Sequence, residues 1–189
     1  MLRKFASLFL GGILIAGLMT NAWGDETMVK KKKKKKAAAV TSANPIVKFE
    51  TTQGNFTAEL FSDVPTTTKN FTELVAAGFY KGIVFHRYVE GFVIQGGDPT
   101  GTGGGGSSKT IPLEIVPAHK HVKGALGMAR TNDPNSASSQ FYVCLGDLPS
   151  LDGNYAVFGQ VTEGMDNVMK LRQGDKMLKV TLVSGGSTK

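Results

Sequence analysis

The feature that most constrains this chain is a succession of short β-rich runs separated by glycine-bearing turns. Ile46–Thr51 and Asn55–Leu60 alternate apolar and polar residues on either side of Gln53-Gly54, the pattern of a hairpin. Further runs follow at Ile83–Tyr88, Phe92–Gln95, Ala125–Ala129, Gln140–Leu145, Ala156–Val161 and Lys179–Ser184. Two helical stretches interrupt them. Pro65 opens the first, with Thr66 to Thr68 as caps, Phe71, Leu74 and Val75 at helical spacing, and Gly78 as the stop. The second spans Gly164 to Arg172, where Met165, Val168, Met169 and Leu171 form a stripe that reads as core packing. With 24 glycines supplying turns, this order predicts a mostly β, mostly antiparallel barrel or sandwich.

Charge divides the chain. The formal net charge is +7 over 189 residues, but Lys30 to Lys36 are consecutive lysines, and Arg3 and Lys4 add to them. From Asn44 onward there are 13 Lys plus Arg and 13 Asp plus Glu, so the folded part is net neutral and offers no basic nucleic-acid face. Residues 1–24 read as a secretory signal: Arg3 and Lys4, the apolar run Phe5–Met19, then Ala22-Trp23-Gly24 before Asp25. That apolar run is short for a membrane span, which takes about 20 residues. Residues 25–43 form a Lys/Ala-rich linker, a solvated spacer or a contact to an anionic surface worth about 1 kcal/mol per lysine. The domain then occupies residues 44–189, and a periplasmic or secreted location follows from the leader.

Several chemistries find no support. Gly101 to Gly106 fits G-x-G-x-x-G, but Pro112 follows where a phosphate-binding helix is required, so the stretch reads as a flexible surface loop. His119 and His121 have no cysteine or carboxylate cluster beside them and read as solvent-exposed loop residues rather than metal ligands. No Gly-x-Ser-x-Gly elbow occurs. The single cysteine, Cys144, lies in an apolar run and reads as a buried small hydrophobe.

The informative segment is Phe85-His86-Arg87 through Gly91-Phe92-Val93-Ile94-Gln95-Gly96-Gly97-Asp98. Strand alternation puts Phe85 and Arg87 on one face. By patterning alone Arg87 is either a cation paired with a carboxylate at a barrel end or a functional group.

This segment is similar to the defining motif of the cyclophilins. Gly127-Met128-Ala129-Arg130-Thr131 through Ser139-Gln140-Phe141-Tyr142 resembles their second motif in its bacterial form, and Leu151-Asp152-Gly153 with Val157-Phe158-Gly159 resembles a third. The resemblance runs from about Ile46 to Ser184. It implies an eight-stranded antiparallel barrel closed by two helices, and peptidyl-prolyl cis/trans isomerase activity without a metal or other cofactor. It implies Arg87, Phe92 and Gln95 as catalytic residues. Val93, Ala129, Arg130, Gln140, Tyr142, Leu151 and Tyr155 would bind substrate. The partners implied are proline-containing polypeptides in the course of folding, met by a monomer. Ser150 stands where many members have a Trp associated with tight cyclosporin binding, so weak cyclosporin binding is expected. Tyr155, Val93 and Tyr142 replace a common His, Met and Phe of the pocket.

Overall fold

The computed structural model describes residues 44–184. The leader and the lysine tract read from sequence fall in residues 1–43, outside the described residues. Eight antiparallel strands follow in chain order: β1 (Ile46–Thr51), β2 (Gly54–Leu60), β3 (Phe85–Val89), β4 (Val93–Gly96), β5 (Ala125–Met128), β6 (Phe141–Cys144), β7 (Val157–Glu163) and β8 (Met177–Ser184). They form one sheet in the order β3-β4-β6-β5-β7-β2-β1-β8. The sheet curls into a half-barrel whose two edges meet at one end. There Val84 bridges Lys176, and the Phe85 amide donates to the Asp175 carbonyl at 2.8 Å.

Alternation drives the curl. Val47, Phe49 and Thr51 of β1 and Phe56, Ala58 and Leu60 of β2 are buried, and their intervening neighbours are not. The buried set meets in an aromatic core: Phe49 stacks on Phe56 at 4.3 Å, and Phe71 packs edge-on against Phe141 at 5.3 Å. Such pairs add about 0.5–1.5 kcal/mol to the burial of their surface.

Phe71 and Val75 come from α1 (Pro65–Ala76), which begins with proline at its first turn as its sequence predicts. Its cap differs from expectation. No threonine caps it; instead the distant Glu114 carboxylate accepts from the Thr66 and Thr67 amides at 3.2 and 2.9 Å. A carboxylate satisfies free amides and the helix dipole at once. Thr67, expected as a cap, is buried and donates its hydroxyl to the same carboxylate. The second helix, α2 (Met165–Lys170), is shorter than predicted. Val168 and Leu171 enter the core, whereas Met169 is 37% exposed.

The sheet has two working faces. Ile94, Leu126, Phe141, Val143 and Phe158 point into the main core. Their neighbours Val93, Ala125, Tyr142, Cys144 and Val157 form a second apolar cluster on the outer face. Phe92, Ala129, Leu151 and Tyr155 pack on that second cluster.

Candidate active site

The outer cluster floors a groove. Arg87, Phe92, Val93, Gln95, Ala129, Arg130, Tyr142, Leu151 and Tyr155 line one cavity of about 320 Å³. Gln140 lines the adjoining cavity of about 280 Å³, together with the Gly103–Ser107 loop. All ten residues selected from the sequence therefore meet along one groove.

Arg87 reaches it by a route that alternation did not predict. Phe85 lies opposite Gly96 and Arg87 opposite Gln95, so His86 is an extra residue in β3. A bulge of this kind re-aims the following side chain. Phe85 thus enters the core at 0% exposure, while Arg87 turns to the opposite face beside Gln95. The expectation that both share one face is corrected. Burial holds the imidazole of His86 below its usual range, with Arg87 acting in the same sense and Asp98 opposing.

Arg87 has no carboxylate within ion-pair distance among the described residues. Its guanidinium carbon lies 5.9 Å from the Phe92 ring centroid, and its Nη1 is 3.4 Å from Gln95 Oε1. Gln95 Nε2 donates to Gln140 Oε1 at 2.9 Å. Gln140 Nε2 donates in turn to the carbonyls of Gly103 and Gly105, at 2.9 and 2.6 Å. Each amide is thereby oriented by the next.

The chain ends on a loop that is wound tightly rather than loosely. Asp98, fully buried, accepts from the amides of Thr100, Thr102, Gly103 and Gly105 and from the Thr100 hydroxyl. Burial pushes its carboxyl up, but these hydrogen bonds outweigh it and hold the group well below the usual carboxylate range. The glycines serve this turn: a side chain at Gly105 would collide with the Asp98 carboxylate. The reading of Gly101–Gly106 as a flexible loop is therefore corrected. An Asp followed by small residues is a known turn former, and that was the available signal.

The opposite wall is apolar. Val93 from β4 lies opposite Cys144 of β6, with Leu151 on the 3-10 turn Pro149–Leu151. Tyr142 and Tyr155 meet edge-on at 6.2 Å. Arg130 stacks over Tyr155 at 4.8 Å and donates to the Asn154 carbonyl from Nε and Nη2. Cys144 is buried, as its apolar run predicts, and burial pushes its thiol up to about 12.

Neither loop histidine is solvent-exposed as expected. His119 stacks on Phe61 at 3.9 Å, and its Nε2 lies 2.8 Å from Asp63. His121 is 2% exposed and bonded to Asp152 and Tyr142. Burying an apolar ring face against Phe61 or Tyr142 outweighs the hydration of a loop imidazole whose nitrogens keep partners. These partners lie far off in sequence, and no local pattern announced them.

A half-barrel with Arg87 beside an apolar pocket on its outer face agrees with what the resemblance to the cyclophilins implies. Comparison with known proteins makes the class specific. The family model described as cyclophilin type peptidyl-prolyl cis-trans isomerase/CLD matches residues 46–184. A peptidyl-prolyl cis-trans isomerase of Helicobacter pylori is 42% identical over 139 residues, covering 71% of this chain and 85% of its own. A peptidyl-prolyl cis-trans isomerase-like 1 of Neurospora crassa is 46% identical over 130 residues, covering 66% of this chain and 79% of its own. A crystal structure of a Cryptosporidium parvum cyclophilin type peptidyl-prolyl cis-trans isomerase superposes with a TM-score of 0.71 at 34% identity, covering 75% of this chain and 98% of that one. The chain belongs to the cyclophilin family, and its activity is peptidyl-prolyl cis-trans isomerisation.

Proposed function

We propose that Arg87 performs the isomerisation by stabilising the twisted X-Pro amide while the apolar wall holds the proline ring. Rotation is slow because amide resonance must break, a barrier of about 18–20 kcal/mol. No bond between heavy atoms is made or cleaved, so the protein need only bind the twisted form better than either planar isomer. In the twisted form the proline nitrogen regains its lone pair. A guanidinium beside it donates to that lone pair, and its rigid fork also reaches the carbonyl after the proline. Phe92, Val93, Leu151 and Tyr142 supply the surface for the ring, and Gln95 keeps the guanidinium aimed. Gln140 with the backbone at Ala129 and Arg130 would hold the peptide on either side.

The observation that carries this reading is the unpaired Arg87 on the rim of a cavity with apolar side chains on its far wall. A Cryptosporidium parvum relative was crystallised in the presence of the dipeptide Ala-Pro, which supports a proline-containing peptide as the ligand. The test is a peptide isomerisation assay on the domain and on Arg87→Ala. Activity should fall sharply with an unchanged melting transition; full activity in the variant would remove Arg87 from the mechanism.

The same reading extends to where the enzyme works. Arg3, Lys4, the apolar run Phe5–Met19 and Ala22-Trp23-Gly24 support export to the periplasm or beyond, with folding exported proteins as substrates. The consecutive lysines Lys30–Lys36 support contact with an anionic surface. Sedimentation with anionic vesicles, with and without Lys30–Lys36, checks the second point, and N-terminal sequencing of the mature protein checks the first.

A further inference from the structure

His121 is a heavily engaged polar residue beneath the apolar wall of the groove, and the isomerisation chemistry does not use it. Its backbone amide and its Nδ1 both meet Asp152 Oδ1, at 2.9 and 2.8 Å. Its carbonyl accepts from the Leu148 amide at 2.7 Å. Its Nε2 lies 2.9 Å from the Tyr142 hydroxyl. Leu148 and Asp152 bracket Leu151, one wall of the proline pocket, and Tyr142 is its floor. One residue that is 2% exposed therefore joins the wall loop to the floor through all four of its polar groups.

The proton order follows from the partners. An ionised carboxylate only accepts, so in the neutral ring Nδ1 carries the proton toward Asp152. Nε2 is then an acceptor, and Tyr142 must donate to it. This has a consequence for the pocket. A hydroxyl facing an apolar cavity without a partner is costly, which is the usual argument for Phe at such a position. Here the hydroxyl is drawn away into the protein, and the cavity meets the ring. Gly127 makes room for this placement, since a side chain there would strike the ring.

We infer that His121 is a positioning residue for isomerisation, locking the Leu151 loop to the Tyr142 floor so that the proline pocket keeps one shape. The inference rests on the proline pocket proposed above. A ring that leaves this position strands the buried Tyr142 hydroxyl and gives up its bond to Asp152, which disfavours the alternative by roughly tenfold or more. Asp152 sets the tautomer, and Tyr142 reports it to the pocket.

The test has two readouts. Nitrogen-15 spectra of the histidine side chains in the intact protein should show the neutral His121 ring as the Nδ1–H tautomer, and Asp152→Ala, which removes the accepting oxygen, should alter that signature. The opposite tautomer, or one indifferent to Asp152→Ala, overturns the inference. In the peptide assay, Tyr142→Phe keeps the ring and removes only the tether; KM should rise about 3- to 10-fold with kcat less affected. Unchanged KM and kcat would also overturn it. The spectra need no turnover, so failure of the Arg87 mechanism and failure of this inference remain distinguishable.

Discussion

The two walls of the groove are held by opposite means. The polar wall is a partly exposed relay: Arg87, Gln95 and Gln140 hand orientation along to a loop wrapped on the buried Asp98. The apolar wall is shaped by a buried clamp, in which His121 ties Asp152 to Tyr142. In the relay the orienting charge is fully buried and its clients are near solvent. In the clamp the hub is buried; Tyr142 floors the pocket, and Asp152 follows Leu151, which walls it. The difference suits the tasks. A cation that must follow a moving charge is aimed by amides that can yield, whereas a ring that must stay still while the amide rotates needs a socket that does not.

The comparison can be broken at its ends. Arg87→Ala should give the largest effect on activity, about 100-fold or more in kcat/KM, the scale of removing one preorganised donor. Arg87→Lys should recover only part of this in the same assay, because an ammonium lacks the rigid fork. Asp98→Ala should give the largest effect on stability, about 2–3 kcal/mol, by stranding the amides it satisfies. A denaturant titration reads this directly.

The same carboxylate predicts an acid dependence. Its folded-state value lies below its unfolded one, near 4, so its contribution is complete at neutral pH. That contribution fades as the pH falls below about 4 and is gone only below the folded value. Melting temperatures between pH 6 and 3 should fall in the native domain and fall less steeply in Asp98→Asn; parallel curves would remove Asp98 as the cause. Gln140→Ala should cut the relay in the middle, lowering kcat/KM about 3- to 10-fold with little change in melting. Smallest is the expected response to cyclosporin, since Ser150 offers no indole; inhibition at low-micromolar concentration or tighter would contradict it.

How much of this was legible in the sequence depends on range. The strands were readable because burial alternates residue by residue, as in β1 and β2. The groove residues were readable because the three motif blocks resemble a known family. What stayed hidden depends on counting or on distance. A bulge at His86 adds one residue to a strand, and a period of two gives no warning of where the count slips. His121 bonds to residues 21 and 31 positions away, so nothing adjacent marked it as more than a loop imidazole. Glu114 likewise caps a helix 47 residues upstream of it, and the nearby threonines were the better local candidates. Gly101–Gly106 was misread because glycine permits two things equally well, mobility and close wrapping; Asp98 decides between them.

The pairing of β1 with β8 carries a mechanical consequence. Ile46 at the start of one strand lies opposite Ser184 at the end of the other. A force that separates these two ends acts across the ladder, loading its hydrogen bonds one after another instead of all together. Pulled in this way the domain would unzip from that corner at low force. Of the strands that carry the groove, β4 to β6 lie outside this first seam, whereas the β3 edge, bridged to the start of β8 through Val84 and Lys176, would feel the pull once the unzipping reaches that end.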